Sequence, residues 1–347
     1  MKFNYKKMLG LNGGITGLDI GSSAVKVVQL TKQDGCYWAT YAAVEKIENS
    51  SDHGSVIDAI KKCIEPCEEK LAACSVSGPE IVVRDFRFPL LPQDEIESAI
   101  RFEAAQVSPF DIEQAEFDYK LMPQTNEHIS GFLVAAKKSK IERKLDIASE
   151  AGVECVLMGV DGLEILNCFT EVEGVRENEA IAILNIGYNF TNLIISDCDS
   201  TPFIRDINYA GKIIIDKIAK ITGISSETLK IVIEENRINE SKKEFNEYLS
   251  SACDELIESI LESIRFFTIN RKMSQIRTIY ICGGFSKVSG IGEILNNRLP
   301  AQTLVWNPFE KINLPQEKEY QDVIHKYGSS LAPAAGLAMR QFYIVES

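Results

Sequence analysis

The sequence predicts a two-lobed α/β protein, and three observations support that fold class. The chain has 347 residues, which is more than a single hydrophobic core usually organises. Residues 15–30 and 180–195 each read as an apolar strand, a turn that contains glycine, and a returning strand. Residues 278–282 read as a short apolar strand that leads into Gly283 and Gly284. We therefore expect two α/β halves, each of which begins with a strand-turn-strand unit.

The composition is that of a soluble globular protein of a reducing compartment. Hydrophobic residues make up 45% and charged residues 25% of the chain. The net charge of −13 and the lack of a dense Lys/Arg run argue against a nucleic-acid partner. The 9 cysteines show no CxxC pair, and the 3 histidines are far apart, so we expect neither a zinc site nor disulfides. No apolar run approaches the ~18 residues that a membrane span needs, and the predicted location is the cytoplasm.

The first lobe is predicted at residues 15–180, with an inserted subdomain at about 80–137. The insert reads as a strand, a helix and two further strands, at residues 81–88, 94–106, 116–121 and 129–136. A helix at 138–151 and an apolar strand at 154–158 resume the pattern that preceded the insert. We therefore expect a strand-helix-strand-strand unit within the first lobe.

Residues 1–14 precede the first strand and are predicted to form a flexible tail. The segment is basic and partly apolar and ends in Gly13 and Gly14. Two interpretations remain open at this stage: a disordered tail or partner contact, and a contact with an acidic membrane surface.

The second lobe is predicted at residues 181–330, with a helical subdomain at about 210–275. That subdomain is charged throughout, and a long helix is predicted near residues 243–270. Residues 331–347 contain a helix rich in small residues, among them Ala334, Ala335 and Gly336. Small side chains allow close packing, so we expect this helix to pack back on the first lobe.

The first turn, Asp19 to Lys26, has the composition of a phosphate-binding loop. The backbone N–H groups of Gly21, Ser22 and Ser23 can cradle phosphate oxygens. Asp19, at the end of a strand, can hold the hydration shell of Mg²⁺. The alternative is an ordinary hairpin turn capped by Asp19.

Two later segments make a nucleotide site the better interpretation. The segment from Asn185 through Gly187 to Thr191 resembles the second phosphate loop of the superfamily that unites actin, the heat-shock ATPases and the sugar kinases. Residues 279–290 resemble that superfamily's adenosine-binding strand, glycine pair and helix, and they include Gly283, Gly284, Phe285 and Lys287. The resemblance implies an actin-like, ribonuclease H-like fold that binds ATP with Mg²⁺ between its lobes.

The same resemblance suggests roles for further residues. Lys26 matches a phosphate-contacting lysine, with a solvent-facing strand lysine as the alternative. Asp161 matches an acidic residue that orders Mg²⁺-bound water, with a helix N-cap as the alternative. Lys230 and Glu234, one helical turn apart, are candidates for adenosine contacts, although a surface ion pair at that spacing is common.

Asn185 departs from the superfamily pattern, which has aspartate at this position of the second loop. An amide can orient a water molecule but cannot accept its proton. A missing general base typically costs ~10²–10⁴ in rate. We therefore predict ATP binding with slow or negligible hydrolysis, and Asn185 and Asp161 are the candidate catalytic positions.

Within the superfamily, the chain most closely resembles the PilM family of type IV pilus assembly, which is related to FtsA. The resemblance extends from about residue 15 to 342 and is most distinctive at 100–110, where Glu103 precedes Pro109 and Phe110. It implies a scaffold on the inner face of the cytoplasmic membrane that binds the N-terminal peptide of a bitopic PilN-like protein. Membrane association is then peripheral, through the partner, and the nucleotide state is expected to modulate partner binding.

The insert supplies candidate side chains for that peptide. An extended apolar peptide binds in a groove lined by aromatic and aliphatic side chains. The candidates are Phe86, Phe88, Leu90, Phe102 and Phe110. The alternative is that these side chains form the core of the insert itself.

Three other functions remain open from the sequence. An FtsA-like filament protein usually ends in a basic amphipathic helix, which residues 344–347 do not resemble. A type II secretion protein of the GspL kind continues into a transmembrane helix, and none is evident here. A small-molecule kinase on the same fold needs an acidic base in a substrate cleft, and Asn185 does not supply one.

Overall fold

The computed structural model describes residues 14–123, 128–174, 179–197, 201–235, 242–271 and 276–346. The predicted N-terminal tail lies outside the described residues, apart from Gly14. Among the residues described, no helix combines the length and the apolar character that crossing a membrane requires.

The described part of the first lobe contains a five-stranded sheet in the order β3-β2-β1-β4-β8. Its strands are β1 (Thr16–Ile20), β2 (Ala24–Gln33), β3 (Cys36–Lys46), β4 (Leu71–Val76) and β8 (Glu154–Val160). The first three form an antiparallel meander, and β4 and β8 continue the sheet in parallel with β1. All residues of β1 and β4 are buried, as expected for strands covered on both faces. Helices α1 (His53–Ile64) and α3 (Lys138–Glu150) belong to this lobe.

The insert between β4 and α3 folds as a strand-helix-strand-strand unit with its own sheet. It comprises β5 (Ile81–Pro89), α2 (Ile96–Val107), β6 (Ala115–Leu121) and β7 (His128–Lys137). The strand order is β5-β7-β6, and both pairings are antiparallel. A small separate core includes Phe86, Ile96, Ile100, Ile129 and Leu133.

The second lobe repeats the topology of the first. Its five described strands have the order β11-β10-β9-β12-β13. They are β9 (Ala180–Ile186), β10 (Thr191–Ser196), β11 (Phe203–Ile207), β12 (Ile276–Cys282) and β13 (Gln302–Val305). Again an antiparallel meander is followed by two parallel strands. The two-lobed actin-like architecture predicted from the repeated strand-turn-strand units is confirmed.

The helices of the second lobe correct one prediction. Its described helices are α5 (Gly211–Thr222), α6 (Ser226–Glu234), α7 (Lys242–Ala252), α8 (Asp254–Arg271) and α9 (Ile291–Arg298). The next helix, α10 (Lys318–Tyr327), packs instead on the first lobe, where the centre of the Tyr320 ring lies 4.9 Å from that of the Tyr41 ring of β3. The prediction of a single long helix near residues 243–270 is therefore wrong, because a turn at Cys253 separates α7 from α8. The guanidinium of Arg298 donates to the Ser250 carbonyl at 3.1 Å and to Asp254 Oδ1 at 2.6 Å. It thus satisfies a C-terminal carbonyl of α7 and a side chain in the first turn of α8.

Two helices pack between the two five-stranded sheets: α4 (Asp161–Glu173) and α11 (Ala332–Glu346). A Cβ on Gly17 of β1 would lie 1.9 Å from the Ala334 carbonyl oxygen, and one on Gly336 would lie 2.0 Å from that of Glu164. Glycine at both positions lets α11 approach β1 and α4 closely. One buried cluster joins residues of α4 and α11 with Ile183 and Ile194 of the second sheet.

Candidate functional site

The first turn is closed by its own backbone and holds an ion pair. The Gly21 N–H donates to the Ala24 carbonyl at 3.1 Å. Asp19 and Lys26 are directly opposite each other on β1 and β2, and Lys26 Nζ donates to Asp19 Oδ2 at 2.7 Å. Their side chains are 8% and 16% exposed. The lysine is thereby held at the turn with donors to spare for further oxygen ligands.

A second ammonium group, which the sequence-based prediction missed, lies at the same turn. Lys144 on α3 donates from Nζ to the Ile20 carbonyl at the end of β1. Burial lowers the pKa of Lys144, while the charges of Asp161 and Asp19 raise it. The first lobe therefore brings two cations and two carboxylates together at this edge of its sheet.

Asp161 is the first residue of α4 and follows β8 directly. Burial raises the pKa of its carboxyl, as does Asp19, while the nearby hydroxyls of Ser75 and Ser77 and the Lys144 ammonium lower it. Ser75 is buried, and its hydroxyl makes no close hydrogen bond among the described residues, although it lies near enough to Asp161 to stabilise the ionised carboxylate. The ends of the parallel strands β4 and β8 thus carry polar groups that are not fully satisfied by the protein.

The second turn is anchored on the start of α5. Gly187 donates its N–H to the Phe190 carbonyl at 3.0 Å, and the Gly211 N–H donates to the Gly187 carbonyl at 3.1 Å. Thr191 is fully buried, and its hydroxyl donates to the Tyr209 carbonyl at 2.8 Å. The structure therefore places Thr191 in the core as an anchor of this turn.

Gly283 and Gly284 differ sharply in their surroundings. Gly283 has φ +91°, and a Cβ there would lie 2.4 Å from Asn185 Oδ1 and 2.6 Å from the Ile186 carbonyl oxygen. A Cβ on Gly284 would meet no heavy atom of the described chain within 4 Å. Gly283 therefore lets the end of β12 approach the second turn, whereas Gly284 leaves open space.

Phe285 and Lys287 follow the glycine pair and have different environments. The Phe285 ring is buried, with Cδ2 2.6 Å from the position of a Cβ on Gly211, so it packs against the start of α5. Lys287 is exposed, and its ammonium lies 5.7 Å from the centre of the Tyr327 ring. Partial burial and the charge of Lys326 lower the pKa of Lys287.

Electrostatic interactions and an ion pair link the candidate site residues of the two lobes. Burial raises the pKa of Cys282, next to Gly283, and the Lys26 ammonium of the opposite lobe lowers it. Glu234 on α6 lies 4.0 Å from Lys230 and also forms an ion pair with Lys46 of β3. The predicted adenosine contacts, Lys230 and Glu234, are thus engaged with each other and with the first lobe.

The aromatic residues of the insert fall into two groups. Phe86 is buried and stacks on Phe88 with ring centres 5.1 Å apart, so it belongs to the insert's core. Phe102 and Leu90 are 68% and 56% exposed, and Phe110 is half-buried. Phe102 and Leu90 therefore have apolar surface free for a partner.

The described groups fit a polyphosphate. The ammonium groups of Lys26 and Lys144 supply positive charge, and the buried hydroxyl of Ser75 supplies a hydrogen-bonding group. The open space at Gly284 leaves room for a ligand. The two carboxylates, Asp19 and Asp161, are the ligand type that Mg²⁺ prefers. The repeated lobes with such turns define an actin-like fold of the nucleotide-binding class.

The family model described as "Type IV pilus assembly protein PilM" matches residues 17–342. The chain belongs to that family, and the resemblance predicted from the sequence is confirmed. The family match favours pilus assembly over the other functions that the sequence left open.

Solved structures with the same fold include a PilM-PilN type IV pilus biogenesis complex. That match has 22% identity and a TM-score of 0.78, and it covers 95% of this chain and 99% of that chain. The ethanolamine utilization protein EutJ from Carboxydothermus hydrogenoformans matches with 13% identity, a TM-score of 0.57 and coverage of 95% and 90%. MreB 5 of Spiroplasma citri bound to AMPPNP matches with 12% identity, a TM-score of 0.52 and coverage of 97% and 98%.

Proposed function

We propose that this chain is an ATP-binding scaffold of type IV pilus assembly that binds the N-terminal cytoplasmic peptide of a PilN-like inner-membrane protein. The observation that carries the proposal is the PilM family match over residues 17–342, which includes the whole insert. The similarity to a PilM-PilN complex supports the choice of partner. The protein would then be cytoplasmic and held at the inner face of the membrane by its partner.

ATP would lie in the cleft between the lobes. Lys26 and Lys144 would balance the phosphate charge, the turns at Gly21 and Gly187 would present backbone N–H groups, and Gly284 would leave room for the adenosine. Mg²⁺, when bound, supplies charge neutralisation of the phosphates, and Asp19 would hold its water shell. Asn185 lacks a proton-accepting carboxylate, so we expect slow or negligible hydrolysis.

Titration with a fluorescent ATP analogue and Mg²⁺ tests the nucleotide site. We expect saturable binding by the wild type and binding by Lys26→Gln that is about tenfold to hundredfold weaker, since a hydrogen bond from a charged group contributes about 1.5–3 kcal/mol. Lys32→Gln on the same strand is the matched control, because its ammonium pairs with Glu171 at 3.8 Å, away from the turn. Equal affinities of the two variants, with unchanged melting temperatures, would contradict the site.

Steady-state phosphate release tests the slow hydrolysis. We expect turnover far below the 1–10³ s⁻¹ typical of enzymes. Brisk turnover that Asn185→Ala abolishes would contradict the role given to this residue.

Calorimetric titration with the N-terminal cytoplasmic peptide of the PilN homologue from the same organism tests partner binding. We expect binding of this peptide and none of a scrambled version. A change in affinity on addition of Mg-ATP is expected if the nucleotide modulates the interaction, and equal affinities would rule that modulation out. Absence of peptide binding in both conditions would contradict the scaffold function.

A further inference from the structure

Three polar side chains form a row across the second sheet at the end of β9 that leads into the second turn. Asn185 of β9 pairs in register with Asn192 of β10, which pairs with Asp206 of β11. Directly opposite residues on antiparallel strands share one face of a sheet. Asn185 and Asn192 are buried, and Asp206 is half-buried. Buried amides in such a row need hydrogen-bond partners.

The hydrogen bonds of this row have one direction. Asp206 accepts from Asn192 Nδ2 at 2.6 Å and, with its other oxygen, from the Gly78 backbone N–H. Because a carboxylate only accepts, Asn192 must turn its NH₂ group towards Asp206 and its oxygen towards Asn185. Asn185 must then donate, and its Nδ2 lies 2.7 Å from Asn192 Oδ1. An ionised aspartate at position 185 could not make this bond.

The row ends on the other lobe, at the root of the insert. Gly78 lies between β4 and β5, and its carbonyl accepts from the Ile81 N–H at 3.1 Å, where the insert begins. Gly78 has φ +110°, and a Cβ there would lie 3.4 Å from the Phe190 ring of the second turn. The second sheet and its turn therefore contact Gly78 in two ways, through Asp206 at the end of the polar row and through the Phe190 ring.

We propose that Asn185, Asn192 and Asp206 form a hydrogen-bond relay that couples the nucleotide cleft to the root of the insert. Asn185 stands at the position of an expected aspartate because the relay requires a donor there. Asp206 acts as a positioning residue that holds the Gly78 backbone. A shift of the Gly187 turn displaces Asn185, and the relay transmits this displacement to the hydrogen bond between Asp206 and the Gly78 N–H at the root of the insert. This coupling rests on the proposed function, in which the insert binds the partner peptide.

Exchanging the amide of Asn185 and the carboxylate of Asp206, the two ends of the row, tests the relay itself. At about pH 8, Asn185→Asp alone forces two acceptors to face each other, and we expect the melting temperature to fall by about 2–4 °C. Asn185→Asp combined with Asp206→Asn allows a complete relay of reversed direction, and we expect the melting temperature to recover. The control combines Asn185→Asp with Asp118→Asn, an exposed residue of β6, and should stay low. Equal melting temperatures of the two double variants would overturn the relay.

Asp206→Ala tests the coupling. We expect hydrogen exchange at the Gly78 amide to accelerate about tenfold, as loss of a bond worth about 1.4 kcal/mol requires, with Mg-ATP affinity retained. The affinity for the PilN-type peptide should no longer change on addition of Mg-ATP. The control Asp58→Ala, at an exposed position of α1 outside the insert, should behave as the wild type.

The outcomes separate this inference from the proposed function. A wild type that binds no Mg-ATP or no peptide contradicts the proposed function. The relay is then still tested by the melting temperatures of the double variants and by hydrogen exchange at the Gly78 amide. An Asp206→Ala protein whose peptide affinity responds to Mg-ATP as strongly as the wild type overturns the coupling. The coupling is also overturned if the peptide affinity of the wild type does not change on addition of Mg-ATP.

Discussion

Glu164 on α4 carries a deeply buried carboxyl group. It is 2% exposed, and its Oε2 has no hydrogen-bond partner among the described residues. Arg340 of α11 lies 3.9 Å away. Burial raises the pKa of Glu164 to about 7, against the lowering effects of Arg340 and Asn167. The carboxyl is therefore largely protonated in the folded protein below neutral pH.

The raised pKa makes the stability depend on pH. Between the ordinary pKa of 4.5 and about 7, the folded state binds more protons than the unfolded state, so stability falls as pH rises. Protonation of Glu164 contributes about 3 kcal/mol to the free energy of unfolding below pH 4.5. This contribution is lost as the pH rises from 4.5 to about 7. Urea unfolding of wild type and Glu164→Gln at several pH values between 5 and 8 measures this slope. The substitution should flatten it, whereas the exposed Glu97→Gln should retain it; an unchanged slope in Glu164→Gln would contradict the assignment.

The two adjacent glycines give a second prediction at the residue scale. Gly283→Ala places a methyl group against backbone atoms at a positive φ, so we expect a loss of unfolding free energy of about 2–4 kcal/mol. Gly284→Ala enters open space and should change stability by less than about 0.5 kcal/mol. Gly284→Val should fold normally yet weaken binding of the fluorescent ATP analogue. Chemical unfolding and the same nucleotide titration measure these effects, and normal nucleotide affinity of Gly284→Val would remove Gly284 from the site.

The sequence revealed those parts of the site that are local in the chain. Asp19 and Lys26 are seven positions apart, and one hairpin register brings them together. Lys144 and Ser75 depend on how helices and parallel strands assemble, so no spacing in the sequence points to them. Thr191 matched the motif of the second phosphate loop, yet its hydroxyl is buried and donates to the Tyr209 carbonyl, a contact that the motif does not predict.

At the scale of elements, the break between α7 and α8 shows the same limit. Residues 243–270 contain neither glycine nor proline, so local propensity gives no signal to stop the helix. Arg298 of α9, more than forty positions further along the chain, contacts both helix ends, and a contact over that distance leaves no trace in the local sequence. The insert, in contrast, was predicted as strand, helix and two strands because its strands are bounded by turn residues and its helix has a clear apolar period.

The insert also allows core and binding surface to be separated. Phe86→Ala should cost about 3–5 kcal/mol of stability, as is usual for a buried phenylalanine. Phe102→Ala removes a side chain that is 68% exposed, so stability should stay within about 0.5 kcal/mol, while affinity for the PilN-type peptide should fall. Thermal unfolding and calorimetric titration measure the two effects. Unchanged peptide affinity of Phe102→Ala would place the binding surface elsewhere.

At the scale of the whole molecule, the described strands of the two lobes share one strand order. The sequence predicted that each lobe begins with a strand-turn-strand unit, but it did not predict the order of the strands. The mutual contacts of the lobes were not predictable, because each joins residues more than a hundred positions apart. Gly78 with Asp206 and Lys46 with Glu234 are the clearest examples. The first lies at the root of the insert, and the second lies near the candidate adenosine contacts.

The Lys46–Glu234 pair bridges the two lobes beside the predicted adenosine contacts, so it should slow the release of bound nucleotide. Lys46 is 63% exposed, and exposed pairs contribute about 0.2–1 kcal/mol; Lys46→Gln should therefore accelerate dissociation of the fluorescent ATP analogue by about 1.4-fold to fivefold. Stopped-flow displacement measures this rate. High salt should accelerate release from the wild type and have little further effect on Lys46→Gln, because salt screens an exposed pair. Lys61→Gln, on the exposed face of α1, should release nucleotide as the wild type does. Equal release rates of Lys46→Gln and Lys61→Gln would show that the lobes separate without breaking this pair.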